Sequence, residues 1–230
     1  MNEPTQFDSY VESYDAALGR GLSLTGEGKE YFARRRLEWL RHCLQDLLEH
    51  PSRILDYGCG LGSTTPLFID LFQPELFVGV DRSAKSLDLA RSHFGSEKAE
   101  FRTIDEFGPN AQLDLIYCNG VFHHIPERDR ATTVAWIWRA LRPGGIFAFW
   151  ENNPWNLGTR LVMSRVPFDR DAAMLSAPEA RRLLRGGGLE ILRTDFQFIF
   201  PKFLNRLRRI EAWVSKFPLG GQYQVLCRKR

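Results

Sequence analysis

Asp56, Gly58, Gly60 and Gly62 lie in the run Ile54-Leu55-Asp56-Tyr57-Gly58-Cys59-Gly60-Leu61-Gly62, an apolar stretch that ends in an acid and three alternating glycines. Glycine tolerates positive φ and lets the backbone approach a ligand closely, and a helix that follows presents free N–H groups. The run therefore predicts a strand, a tight turn and a helix start that together cradle a nucleotide or nucleoside. Asp81 ends the apolar run 76–81, Asp105 follows the strand-like run 99–103, and Asn119 ends the run 113–119, with His123 and His124 just beyond. An acid at the end of a second strand can accept two ribose hydroxyls. Imidazoles have a pKa suited to taking a proton from an acceptor atom near neutral pH.

A dinucleotide fingerprint, G-x-G-x-x-G, would need glycine at position 63, where Ser63 stands. The spacing is G-x-G-x-G instead. With Leu55-Asp56-Tyr57 ahead of it, the segment resembles the cofactor motif of class I S-adenosylmethionine-dependent methyltransferases of the small-molecule type. That resemblance implies that Asp56, Gly58, Cys59, Gly60 and Gly62 bind S-adenosylmethionine, yielding S-adenosylhomocysteine as product. It implies that Asp81 takes the ribose, with Arg82 beside the adenine, that Asp105 faces the adenine amino group, and that Asn119 runs beside the methionine part. For Asp81 an ordinary strand-end role, capping the helix that starts near Ser83, stays open, and the loop holding Asp105 could equally be solvated.

Strand-like runs alternate with helical stretches of ten to fifteen residues, which predicts an α/β fold with a doubly wound parallel sheet and helices on both faces. Leu141-Arg142-Pro143-Gly144-Gly145 closes a helix and turns into the strand 146–150. Runs 189–193 and 222–227 bring the strands to seven, and the resemblance implies a Rossmann-like, mostly parallel sheet with its last strand antiparallel. Ligands bind such sheets outside the carboxyl ends of the strands. One domain is expected over 1–230, with an N-terminal helical cap over 1–50, a cofactor core over 51–150 and acceptor-side segments with the last two strands over 151–230.

Composition is that of an ordinary globular chain, 43% apolar and 26% charged, with a net charge of +3 that is too small to argue for nucleic acid. No apolar run approaches the length needed to span a bilayer, and Met1 to Thr5 has no signal-peptide character. A soluble, cytoplasmic protein without stable membrane insertion is expected. Cys43, Cys59, Cys118 and Cys227 are scattered, which predicts reduced, packed thiols and neither a zinc site nor a disulfide framework. The nucleic-acid branch of the family would carry Asp or Asn followed by Pro-Pro and an aromatic after the fourth strand, where this chain has Asn119-Gly120-Val121-Phe122. The expected partner is a small-molecule acceptor rather than a nucleic acid, with a homodimer left open.

Ahead of the glycine run, Phe7, Tyr10, Val11, Tyr14 and Leu18 share a helical face that the resemblance places over the cofactor, with Tyr14 the member expected to reach it. Packing alone also explains such a stripe. In the next helix, roughly Lys29 to Glu49, Phe32, Ala33, Leu40, Cys43, Leu44 and Leu47 share one face, and Arg36 projects from its middle. A buried guanidinium needs an anionic or hydrogen-bonding partner. The methionine carboxylate of the cofactor and an internal Asp or Glu are the two candidates.

His124 and His123 are the candidate catalytic bases; the alternative is that an imidazole there holds a backbone group. Quinone-pathway O-methyltransferases resemble this segment but carry glutamates where Gly120 and His123 stand, so no metal site is expected. Transfer from a sulfonium can proceed by alignment and desolvation alone. Acceptor choice falls to Glu151-Asn152-Asn153-Pro154-Trp155-Asn156, leading on through Arg160, Arg165, Phe168, Asp169 and Arg170, and to 203–217, where Phe203, Leu207, Ile210, Val214 and Phe217 share a helical face. Packing on the domain is the expected role of that face, with a lid, a dimer contact or a membrane-surface contact as alternatives. The reading is a methyltransferase acting on O, N or C of a small metabolite; the alternative is a non-catalytic S-adenosylmethionine-binding partner or sensor. A polyamine synthase would need an acidic cluster after Asn119 that the chain lacks.

Overall fold

The computed structural model describes residues 14–170 and 172–230, with side chains at all of these except 14–17 and Leu24. The stripe of Phe7, Tyr10 and Val11 and the side chain of Tyr14 lie outside the described residues. In chain order the elements are α1 (Tyr14–Leu22), α2 (Lys29–Asp46), β1 (Arg53–Tyr57), α3 (Thr65–Phe72), β2 (Leu76–Asp81), α4 (Ala84–Phe94), β3 (Ala99–Thr103) and α5 (Ile104–Phe107). There follow β4 (Leu113–Asn119), α6 (Glu127–Ala140), β5 (Leu141–Asn152), α7 (Leu157–Arg165), α8 (Ala177–Gly186), β6 (Leu189–Gln197), α9 (Glu211–Val214) and β7 (Gln222–Lys229).

The strands form one seven-stranded sheet in the order β3-β2-β1-β4-β5-β7-β6. Strands β1 to β5 pair in parallel, and β7 inserts antiparallel between β5 and β6. Burial on both faces explains the near-continuous apolar strands. Alternate residues divide between two cores: Leu55, Val78, Ile116 and Phe147 face Val134 and Ile137 of α6 and Leu184 of α8. Ile54, Phe77, Leu115 and Ala148 face Leu37 and Leu40 of α2, Phe68 of α3 and Leu87 of α4.

The chain runs outward through β1, β2 and β3, then returns to β4 on the other side of β1. This reversal opens a crevice beyond the carboxyl ends of β1 and β4, where ligands bind in doubly wound sheets. Three elements differ from the sequence reading. Segment 104–107 is a turn of helix rather than a loop, because Thr103 and Glu106 form a reciprocal capping box. Strand β5 begins at Leu141, since Leu141 already pairs with Leu113 before a register shift, and Gly144 absorbs the irregularity at φ 77°. Segment 202–210 consists of 3-10 turns, interrupted at Leu204 (φ −106°, ψ 25°), before the short α9.

That last difference changes what the segment does. Phe203 is 81% exposed, Trp213 86% and Phe217 59%, so its apolar side chains do not pack on the domain as expected. Polar groups anchor the segment instead. Buried Glu211 accepts the N–H groups of Ile199 and Phe200, each at 3.0 Å. Arg208 bridges Glu27 at 2.8 Å and covers the Tyr31 ring, tying the segment to the start of α2.

Candidate active site

The glycine turn adopts the conformation its sequence demands. Gly58, Gly60 and Gly62 have φ of 77°, 53° and 71°, where an L side chain is strained. A Cβ at Gly58 would lie 2.4 Å from Val121 Cγ2, so that glycine also permits close packing against the loop after β4. A Cβ at Gly60 would meet no protein atom within 4 Å, leaving the backbone there open to a ligand. The turn is held from both sides: Gly58 and Cys59 N–H groups donate to the Val80 carbonyl, at 2.8 and 3.0 Å.

Asp81, at the end of β2, faces this turn. Its Oδ2 accepts the Gly60 N–H and its Oδ1 the Ser83 N–H, both at 2.9 Å. Ser83 in turn caps α4 by accepting the Ser86 N–H. Asp56 is buried beneath the turn, and its Oδ2 accepts from Thr64 Oγ1 at 2.9 Å. Burial pushes its carboxyl up to about 7, opposed by the Thr64 hydrogen bond and reinforced by the charge of Asp81.

Arg36 is buried, as its position on the apolar face of α2 requires; its hydrogen bonds go to Tyr117 and Gln222 and not to an acid, although its charge acts to lower the pKa of buried Asp56. Nε donates to the Tyr117 hydroxyl at 3.1 Å and Nη1 to Gln222 Oε1 at 2.9 Å. Both acceptors are neutral, so these bonds orient the guanidinium without cancelling its charge. Asn119 closes this side of the crevice: its Oδ1 is buried and has no hydrogen-bond partner among the described residues. A buried acceptor left in that state is costly unless a ligand donor reaches it. The crevice is thus lined by an open stretch of backbone at Gly60, a free acceptor at Asn119 and the Arg36 cation. Arg82 and Asp105 are exposed, the first just past the end of β2 and the second in α5.

Beyond Gly120, itself at φ 67°, the chain turns through Phe122–His124 and brings the two histidines against acids from distant segments. His123 Nδ1 lies 2.7 Å from Glu151 Oε2 and its Nε2 3.5 Å from Asp169 Oδ1. His124 Nε2 lies 3.2 Å from the same Asp169 oxygen. Burial alone would lower the pKa of His123, but the charge of Glu151 and hydrogen bonds to Asp169 and Glu151 outweigh it and raise the value to about 10. Burial would raise both carboxyls; the imidazoles instead hold Glu151 and Asp169 below the usual range.

Glu151 and Asp169 appeared in the sequence only as members of an acceptor-side stretch. Glu151 is in fact fully buried within β5, where it also accepts the Phe122 N–H at 2.8 Å. An acid at the end of a central strand was the available signal, the same one that marks Asp81. Asp169 carries no local signal, and only tertiary structure brings it to the histidines.

A family model described as a methyltransferase domain matches residues 54–145. Trans-aconitate 2-methyltransferase of Azoarcus sp. (strain BH72) is 30% identical over 146 residues, 62% of this chain and 57% of that protein. The enzyme of the same name from Variovorax paradoxus (strain S110) is 32% identical over 102 residues, covering 44% of this chain and 39% of that one. The chain spans about half the length of the curated relatives it matches. Among solved structures, a SAM-dependent methyltransferase from Thermotoga maritima superposes with a TM-score of 0.67 at 14% identity, covering 97% of this chain and 98% of its own. A SAM-dependent methyltransferase from Archaeoglobus fulgidus gives 0.61 at 16% identity, covering 84% and 94%.

Proposed function

The chain carries a methyltransferase domain of the class I S-adenosylmethionine-dependent family, and from that premise we propose that it moves the methyl group of S-adenosylmethionine to O, N or C of a small-molecule acceptor. The observation that carries the proposal is the convergence on one crevice of a positive-φ glycine turn, the acid Asp81 and the unpartnered Asn119 acceptor. In this reading Asp81 holds the ribose hydroxyls, the backbone around Gly58, Cys59 and Gly60 lies along the nucleoside, and Asp56 braces the turn through Thr64. Arg82 and Asp105 border the adenine. Arg36 takes the methionine carboxylate and Asn119 its amino group.

The bound sulfonium supplies an activated methyl group. The remaining task is to align the acceptor and to remove its proton where it has one. His123 and His124 lie just past Asn119 and, with Asp169 paired to both, form the polar end that receives the acceptor. The relatives named for trans-aconitate make a small organic acid the first acceptor to try. Calorimetric titration with S-adenosylmethionine and S-adenosylhomocysteine, followed by incubation with labelled methyl donor and a panel of small acids, phenols and amines, tests the proposal. Micromolar binding with label transfer to one class is expected; absence of binding to either ligand would overturn it.

A further inference from the structure

We propose that His123, His124 and Asp169 form a binding site for one divalent transition-metal ion, supported from behind by Glu151. One donor atom from each of the three residues lies within 4.8 Å of the others. The Asp169 oxygen stands 3.5 Å from His123 Nε2 and 3.2 Å from His124 Nε2. Ligands at about 2.1 Å from a shared ion are separated by about 3.0 Å along an octahedral edge and about 3.4 Å in a tetrahedron. The two spacings therefore already approximate those of a coordination sphere, and the imidazole rings are brought together at 4.1 Å between centroids.

Glu151 supplies the outer support that metal-binding imidazoles usually have. Its Oε2 takes the Nδ1 side of His123 at 2.7 Å, which fixes the ring with Nε2 toward Asp169. Its other oxygen accepts the backbone N–H groups of Phe122 and His123, at 2.8 and 3.3 Å, so the carboxylate is itself locked. Once the ion has displaced the His123 proton, two neutral imidazoles and two carboxylates sum to −2, the charge that a divalent ion neutralises.

Donor type narrows the ion. Two imidazoles and one carboxylate suit zinc, iron, cobalt or nickel, whereas magnesium and calcium prefer oxygen throughout. Three protein ligands leave coordination positions open, as in sites that take a further ligand. Glu151 and His123 are buried, while the side chains of His124 and Asp169 are 18% and 12% exposed, so the open positions lie toward that side. The role that follows, holding an oxygen acceptor beside the methyl donor, rests on the methyltransferase reading; the ion site itself does not.

Titration of chelator-treated protein with Co²⁺, read by its visible d–d absorption, tests the site, with Zn²⁺ as competitor in calorimetry. One Co²⁺ per chain is expected, displaced by Zn²⁺, with affinity at least tenfold weaker in Asp169→Asn and in His124→Ala. Glu151→Gln is expected to lose roughly 10- to 100-fold. Circular dichroism melts identify any variant that fails to fold, and His124→Ala, at the more exposed ring, serves if Asp169→Asn does. Absence of d–d bands and of Zn²⁺ binding heat in the wild type, or unchanged affinity in both ligand variants, would overturn the proposal. S-adenosylmethionine titrations on the same samples separate the two readings: cofactor binding without metal sinks only the ion site, and metal binding without cofactor sinks only the methyltransferase reading.

Discussion

Asp81 Oδ2 accepts the Gly60 N–H at 2.9 Å, so the acid that ends β2 also closes the glycine turn that follows β1. One carboxylate thus shapes the turn and faces the crevice. Asp81→Ala should weaken S-adenosylmethionine binding by at least tenfold in calorimetry. Asp81→Asn keeps the size but can present its amide to the Gly60 N–H less well than a carboxylate; an intermediate loss is expected. Wild-type affinity in the alanine variant would remove Asp81 from the ribose site.

Arg36 and Arg35 are neighbours in sequence with opposite surroundings, which makes them a matched pair. Arg36 is buried against Tyr117 and Gln222, whereas the Arg35 side chain is 41% exposed beside Glu38. An exposed pair of this kind contributes little. Arg36→Ala should therefore weaken cofactor binding much more than Arg35→Ala, and Arg36→Lys should not restore it, because an ammonium cannot reproduce the two-pronged geometry. Equal calorimetric effects of the two alanine substitutions would sink the assignment of Arg36 to the methionine carboxylate.

Asp56 makes stability depend on pH in a predictable direction. Its folded pKa, about 7, is above the unfolded value, so the folded state holds this proton more tightly and stability falls as pH rises between those two values. Above about 7 the buried charge is fully developed. Asp56→Asn should therefore raise the melting temperature at pH 8 relative to wild type, by an amount that shrinks toward pH 4. Parallel melting curves for the two proteins across that range would contradict the argument.

His123 works in the opposite sense. Its folded pKa is raised to about 10, so its ion pair contributes stability that is full below the unfolded value near 6.5 and lost as pH climbs through 10. Glu151 is lowered, so its share is lost as pH falls through its folded pKa. In metal-free protein the His123 ring should stay protonated through pH 8 in an NMR titration. His123→Gln leaves Glu151 buried without a counter-charge and should cost about 3–5 kcal/mol in denaturant unfolding. A free imidazole titrating near pH 6.5 at this position would refute the pairing.

How far the sequence carried depends on whether a residue's role is set locally. Gly58, Gly60 and Gly62 were legible because a positive φ after a strand admits few other residues, and Arg36 because a cation on an apolar helix face is conspicuous at a period of 3.6. Their partners were not legible. Tyr117 and Gln222 meet Arg36 only because β4 and β7 flank β5, a relation set by strand order and not by spacing. Glu151 lies just past the apolar run 146–150 and so outside the expected strand, whereas β5 runs through Asn152 and buries the acid. Asp169 lies far along the chain from His124, and nothing in its neighbours marks it.

The segment 203–217 shows the converse, a periodic pattern that misled. Phe203, Leu207, Ile210, Val214 and Phe217 share a face only at 100° per residue, but 3-10 turns advance 120° per residue and the kink at Leu204 breaks the register. Glu211 and Arg208 hold the segment by hydrogen bonds, while Phe203 and Trp213 extend into solvent at 81% and 86% exposure. Two side chains that bury so little cannot support the fold. The double substitution Phe203→Gln and Trp213→Gln should change unfolding free energy by no more than about 0.5 kcal/mol per site. Glu211→Ala, by contrast, strips two backbone N–H groups of their acceptor and should cost about 1–3 kcal/mol. Denaturant unfolding of the two variants side by side decides the matter: a larger loss from the aromatic pair than from Glu211 would mean that the apolar face packs after all.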